Sequence, residues 1–311
     1  MTIRDRAARA IEWPTLFVGL ACIGGWFAVV LLHRHLPTGA TIALLAIDGA
    51  WFMSFQHELT HGHPSRHQWV NTALGWMPFA LWLPYVQYRQ IHTEHHRSDL
   101  TVPGVDPESF YVTHEQWNSA GPVMRRFLAG MRYLPFRLAF GPGWSMLQSF
   151  RDDLRGVRRG VRHGDWWLAR VWAWQLAGAT AVVWFLISVA HMPVWQYVLG
   201  YAYCGMSLSM IRSFAEHRAV DGETRSATVL SGPFFSGLFL NNNLHHTHHA
   251  HPGVAWYELP ALAESMGASD ISARGAGLYR GYWEIARLYS FKPFCQEIHP
   301  HDRALNAPSP A

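Results

Sequence analysis

Apolar residues in this chain gather in long blocks and do not alternate with polar ones. Trp13 to Leu32, WPTLFVGLACIGGWFAVVLL, carries no charge and is long enough to cross the roughly 30 Å hydrocarbon core of a bilayer as a helix. A second block, Ala40 to Gln56, follows the short connection HRHLPTG. A third and a fourth, Val171 to Ala190 and Pro193 to Ile211, are joined only by His191 and Met192. The blocks predict four membrane spans, at about 13–32, 40–56, 171–190 and 193–211, paired as two helical hairpins. The first block reads as an anchor and not a leader: it is long, Trp13 and Trp26 bracket it, and no small-residue cleavage site follows.

Two shorter apolar stretches read differently. Val70 to Val86 contains Pro78 and Pro84, which would break a straight helix. Counting it as a crossing would also put the histidines on either side of it on opposite faces of the membrane, so it is expected to be interfacial or re-entrant. Ser231 to Leu240 is too short to span. The expected architecture is therefore an all-α integral membrane protein forming a single domain over 1–311. Residues 57–170 and 212–300 form a cytoplasmic helical cap, and the tail 304–311, ALNAPSPA, is disordered.

Composition supports this picture and sets limits on function. The chain is 50% hydrophobic, has 16 tryptophans and is only 15% charged, with a mean hydropathy of −0.02. Those values fit a membrane protein with much of its length outside lipid. The net charge of +4 is carried by arginines spread among apolar segments, Lys292 being the only lysine. That spread argues against a nucleic-acid stripe and for an anionic membrane surface. Arg4, Arg6 and Arg9 precede the first span, and twelve arginines run from Arg89 to Arg170. The expected location is the inner membrane, multi-pass, with both termini cytoplasmic. Cys22, Cys204 and Cys295 are far apart and form no CxxC pair, so neither a disulfide framework nor a thiolate metal site is indicated.

Histidine carries the candidate chemistry. The stretch NNNLHHTHHAHPG places five histidines in the seven positions 245–251, and neutral imidazole is a common metal ligand. His57 and His61 in HELTH are four apart. His92, His95 and His96 in HTEHH are spaced i, i+3, i+4, as are His245, His248 and His249 in HHTHH. On helices these spacings put the rings on one face. With His217 in RSFAEHR, eight plus one gives nine candidate ligands, enough for two metals.

HELTH, HTEHH and HHTHH together resemble the three histidine boxes, HxxxH, HxxHH and HxxHH, of the integral-membrane fatty acid desaturase and hydroxylase superfamily. The likeness runs from His57 to about Pro260 and includes the paired spans. The tail HHTHHAHPGVAWYELP is similar to that of bacterial acyl desaturases. The resemblance implies a di-iron centre held by His57, His61, His92, His95, His96, His217, His245, His248 and His249, with no further catalytic residue. It implies O2 as co-substrate and desaturation of an acyl lipid or acyl-CoA. Electrons would come from a separate donor, a ferredoxin, rubredoxin or cytochrome b5-like protein. A hydroxylase or ketolase acting on a lipid, sterol or carotenoid shares the same ligands and stays open as the alternative, as does the oligomeric state. Where animal acyl-CoA desaturases carry an asparagine that holds a metal-bound water, this chain has Ser213, and Asn241, Asn242 or Asn243 is the candidate replacement.

Several neighbours have two readings. Glu58, Glu94 and Glu216 either orient ligand rings or pair with surface arginines such as Arg97 and Arg218. His63, His67, His246 and His251 are expected to support or flank the site. Asp48, inside the second block, faces a cavity or makes a packing hydrogen bond. A histidine-rich transporter would carry its histidines within spans or in a variable loop, which is not the pattern here.

Overall fold

The structure is a computed structural model that describes residues 11–221, 223–300 and 302. Arg4, Arg6 and Arg9, on which the orientation partly rests, and the tail 304–311 lie outside these residues. In chain order the helices are α1 (Trp13–Leu32), α2 (Thr38–Thr60), α3 (Gln68–Gly75), α4 (Tyr85–His95), α5 (His114–Ser119), α6 (Pro122–Gly130), α7 (Leu134–Arg162) and α8 (Trp167–Phe185). After these come α9 (Val194–Tyr197), α10 (Gly205–Ser213), α11 (Pro233–Leu238), α12 (His245–Ala250), α13 (Leu259–Ser265), α14 (Ala268–Arg274) and α15 (Tyr282–Tyr289). The strands β1 (Thr228–Val229) and β2 (Leu278–Tyr279) pair in parallel, with Thr228 opposite Leu278.

Among the described residues, three helices are long and apolar enough to cross a membrane: Trp13–His35, Thr38–Thr60 and Trp167–Ala190. The fourth expected span is not among them. From Val194 to Ser213 the backbone stays helical through α9, a π-helical stretch Val198–Cys204, and α10. Gln196, Tyr197, Tyr201 and Tyr203 lower its hydropathy.

The chain forms two compact units. The first comprises Met1–Gln90 and Pro142–Ser209 and holds the three candidate spans. Its close packing depends on missing side chains. A Cβ on Gly49 would lie 2.7 Å from the Tyr201 carbonyl oxygen, and one on Gly200 would lie 2.9 Å from Leu45 Cβ. Small residues at such crossings let apolar helices approach by backbone contact. The apolar stretch Val70 to Val86 is no single helix: α3 ends at Gly75, and a loop with Leu81 at φ 68° leads into α4. Phe79 of that loop stacks on Trp26 at 4.5 Å. Tyr197 Oη donates to the Phe79 carbonyl at 2.7 Å and accepts from Trp26 Nε1 at 2.8 Å. The loop backbone is thereby satisfied by side chains of the bundle, as apolar surroundings require.

The second unit comprises Ile91–Gly141 and Met210–Ala311. Its irregular segment around residues 99–112 is pinned at both ends. The Val112 amide donates to the Glu297 carbonyl at 3.0 Å, and Thr101 Oγ1 meets His299 Nε2 at 3.1 Å inside the unit. Arg132, only 1% exposed, donates to the Phe110 carbonyl at 2.7 Å and lies over the Phe110 and Tyr111 rings. In a second apolar patch, Phe235 of α11 and Phe239 just after it pack on Tyr282 of α15.

Candidate metal centre

Two helical turns of the second unit carry six of the candidate ligands. His92 and His95 lie in the last turn of α4 with His96 immediately after, and α12 carries His245, His248 and His249. The i, i+3, i+4 spacing puts each trio on one face. His217 comes from an extended segment that bridges to Ser226, not from a helix. The ring nitrogens of His95, His217, His245 and His249 all lie within 4.8 Å of one another, and those of His92, His96 and His248 do likewise.

The orientation of these rings is fixed from behind. Asp106 Oδ1 accepts from His95 Nδ1 at 2.7 Å, and Glu108 Oε1 accepts from His92 Nδ1 at 2.8 Å. Asn242 Oδ1 accepts from His245 Nδ1 at 3.1 Å, and the Arg225 carbonyl accepts from His217 Nδ1 at 3.3 Å. With the proton held at Nδ1, each neutral ring presents a bare lone pair at Nε2. These bare nitrogens face one another: His95 Nε2 is 3.1 Å and His245 Nε2 2.9 Å from His217 Nε2. His92 Nε2 and His248 Nε2 each lie 3.1 Å from His96 Nε2, and His249 Nε2 lies 3.1 Å from His245 Nε2.

Lone pairs at this separation repel unless a cation sits among them. Two ligands about 2.1 Å from one ion at near right angles stand about 3 Å apart, which is the separation seen. The donor sets therefore fit a metal, and all-imidazole sets suit iron, zinc, copper or nickel more than calcium or magnesium.

Electrostatics keeps the ligands in the form a metal needs. Burial, reinforced by neighbouring histidine charge, pushes His96 and His217 down to about 3 and His245 and His249 well below the ordinary histidine value. His95 moves the other way: burial opposes, but Glu108 and Asp106 outweigh it and raise its affinity for a proton. Burial alone would raise Glu108, yet the His92 and His95 charges hold it well below the usual carboxylate range. Glu216 is raised to about 7 by burial, against the nearby Arg212.

His57 and His61, the first box, are in the first unit at the C-terminal end of α2. His57 is buried, and the two rings are 4.9 Å apart. Of the three carboxylates expected to orient rings, Glu216 stands 3.3 Å from His245 Nδ1 and accepts from Arg212 at 2.6 Å. Glu58 is 3.7 Å from His57 Nδ1, beyond hydrogen-bond length, and Glu94 is exposed. The orienting acids are Asp106 and Glu108, which helical spacing could not find; the only trace in the sequence is the pair in VDPESF, some ten residues after the second box.

The flanking histidines have other tasks. His63 binds Glu12 at 2.8 Å, and His246 meets Thr224 Oγ1 at 3.0 Å. His67 is exposed and accepts from Arg66 Nε at 3.3 Å, and His251 is exposed. Of the asparagines, Asn241 donates to the Trp256 carbonyl and Asn243 to the Val229 carbonyl, so these two shape the turn before α12.

The family model described as fatty acid desaturase matches residues 34–277. Comparison with curated proteins gives no match. The matched segment covers most of the chain, includes all three histidine boxes and His217, and coincides with the metal-ready geometry above: the chain belongs to the fatty acid desaturase family.

Proposed function

We propose that the protein is an O2-dependent di-iron desaturase of a fatty acyl chain, as acyl lipid or acyl-CoA, working at the cytoplasmic face of the inner membrane. The observation that carries this reading is the convergence of ring nitrogens from His95, His217, His245 and His249, with the protons of His95, His217 and His245 held away at Nδ1. Such a set is built for a metal that imidazole binds well, and within this family that metal is taken to be iron. The proposed ligands are those nine histidines: His57, His61, His92, His95, His96, His217, His245, His248 and His249. When bound, the irons would supply the power to use O2 and two electrons to remove hydrogen from an unactivated methylene.

The chain's own part is positional. Asp106 and Glu108 fix two rings by holding the Nδ1 protons, and burial keeps His96, His217, His245 and His249 neutral. Four spans in two hairpins, with Pro193 to Ile211 as the fourth, would leave both termini and the boxes on the cytoplasmic side. The Gly49, Gly200 and Gly205 contacts support that fourth crossing, because they pack this segment against α2 as tightly as membrane helices pack. Electrons would come from a separate ferredoxin, rubredoxin or cytochrome b5-like donor.

The test is lipid mass spectrometry on a host expressing the chain with iron and O2, against His61→Ala. An acyl product lighter by two hydrogens, absent in the variant, is expected. A product heavier by one oxygen would overturn desaturation in favour of hydroxylation by the same centre.

A further inference from the structure

A cluster of arginines lies at the C-terminal end of α7, within the first unit. Arg155, Arg158, Arg159, Arg162 and His163 line an open recess of about 340 Å³. Arg155 is paired with Asp152 at 3.0 Å on the surface. Among the described residues, no carboxylate lies within ion-pair distance of Arg158, Arg159 or Arg162, and all three are exposed. Such a recess of unneutralised guanidinium groups is suited to a phosphate, which it can grip by forked hydrogen bonds.

What lies beside the recess identifies the source of that phosphate. Gly164, at φ 77°, turns the chain back within a few residues, and the candidate span begins at Trp167. The end of α7 then runs antiparallel along the first turns of α8. A Cβ on Gly160 would meet the Asp165 carbonyl oxygen at 2.7 Å, and one on Gly156 would meet Leu168 at 2.8 Å. Further along, Phe150 packs on Trp172 at 5.3 Å, and Trp172 Nε1 donates to Asp153 at 3.1 Å. Level with that deeper stretch of α8, α7 turns Leu147, Phe150 and Leu154 outward, while Trp174 and Leu176 of α8 are likewise exposed. The outward surface thus carries Leu147, Phe150 and Leu154 beside the span, with Arg151 and Asp152 exposed among them, and becomes rich in arginine at its mouth next to Trp166 and Trp167; arginine stems can lie along apolar surface with their heads at the headgroup level.

We infer that Arg155, Arg158, Arg159, Arg162 and His163 form a binding site for the phosphate headgroup of an anionic phospholipid, whose acyl chains lie along Leu147, Phe150 and Leu154. The site is independent of the metal centre and of the reaction catalysed there. Basic clusters next to a span attract anionic lipid by about 1 kcal/mol for each residue, so losing two arginines weakens binding by about 30-fold.

The experiment uses the full chain in nanodiscs of mixed phosphatidylcholine and phosphatidylglycerol, with native mass spectrometry counting the lipids each protein retains. Phosphatidylglycerol should be enriched over its bulk fraction on the wild type and on the charge-matched control Arg126→Gln/Arg287→Gln. It should fall toward the bulk fraction on Arg158→Gln/Arg159→Gln. Equal enrichment in all three proteins, or equal loss in both variants, would overturn the proposal. Displacement of the lipid by inorganic phosphate alone would reassign the recess to a free anion. Unchanged lipid retention with lost cross-linking to an acidic ferredoxin would reassign it to a protein partner.

Discussion

Asp106 accepts a hydrogen bond from His95 Nδ1 at 2.7 Å, with both side chains almost fully buried. The same carboxylate accepts from the Thr101 and Glu108 amides at 2.8 and 2.9 Å, so it is held rigidly by its own loop while it holds the ring. Asp106→Asn should lower metal content and turnover together by about 10- to 100-fold, because the amide puts a donor where a backbone N–H already points. Metal analysis of the purified variant checks this; full metal content with full turnover would show that the ring needs no carboxylate behind it.

His217 and His246 separate ligands from neighbours. His217 Nε2 lies among the bare nitrogens, whereas His246 Nδ1 meets Thr224 Oγ1. His217→Ala is expected to lose about half the bound metal and essentially all activity, and His246→Ala to keep both within about twofold. The reverse pattern would move His246 into the ligand set.

Acid should unfold the metal-free chain through its histidines. His96 and His217 fall from 6.5 to about 3 on folding, and His245 and His249 fall as well, so below pH 6.5 the unfolded chain binds more protons. Stability contributed by these groups is present above pH 6.5 and is lost as pH falls toward 3. His95 and His63, raised on folding, work in the opposite sense but are two groups against five, His246 being lowered as well. Denaturant midpoints of chelator-treated protein across this window should decline with acid. Metal loading should shift the decline to lower pH, since a bound cation must first be displaced by protons; a flat profile would show that the rings are solvated in the metal-free state.

Tyr197 tests the loop that inserts beside the spans. Its hydroxyl serves both Trp26 Nε1 and the Phe79 carbonyl. Tyr197→Phe should cost about 1–3 kcal/mol, because it leaves two buried polar groups unpartnered. Thermal unfolding in detergent would report the loss, and an unchanged midpoint would mean that other groups satisfy the loop.

The sequence by itself determined the elements and most of the candidate ligands. Long uncharged blocks can only be satisfied as helices in lipid, and i, i+3, i+4 spacing puts His92, His95 and His96, and likewise His245, His248 and His249, on one helical face before any tertiary contact is known. Residue types also excluded thiolate chemistry, with three cysteines scattered and outside every box. Tertiary structure decided what periodicity cannot carry. Asp106 and Glu108 reach the rings from an irregular loop held by Val112, Thr101 and Arg132, and a loop has no repeat from which direction can be read. Among the described residues three helices, not four, have the length and apolarity of a span, because Gln196, Tyr197, Tyr201 and Tyr203 dilute the apolar character of Val194 to Ser213. Which nitrogen of each histidine faces the metal was likewise invisible in the chain, since the partner accepting from Nδ1 chooses the tautomer, and for His92, His95 and His217 that partner lies eight or more residues away in sequence.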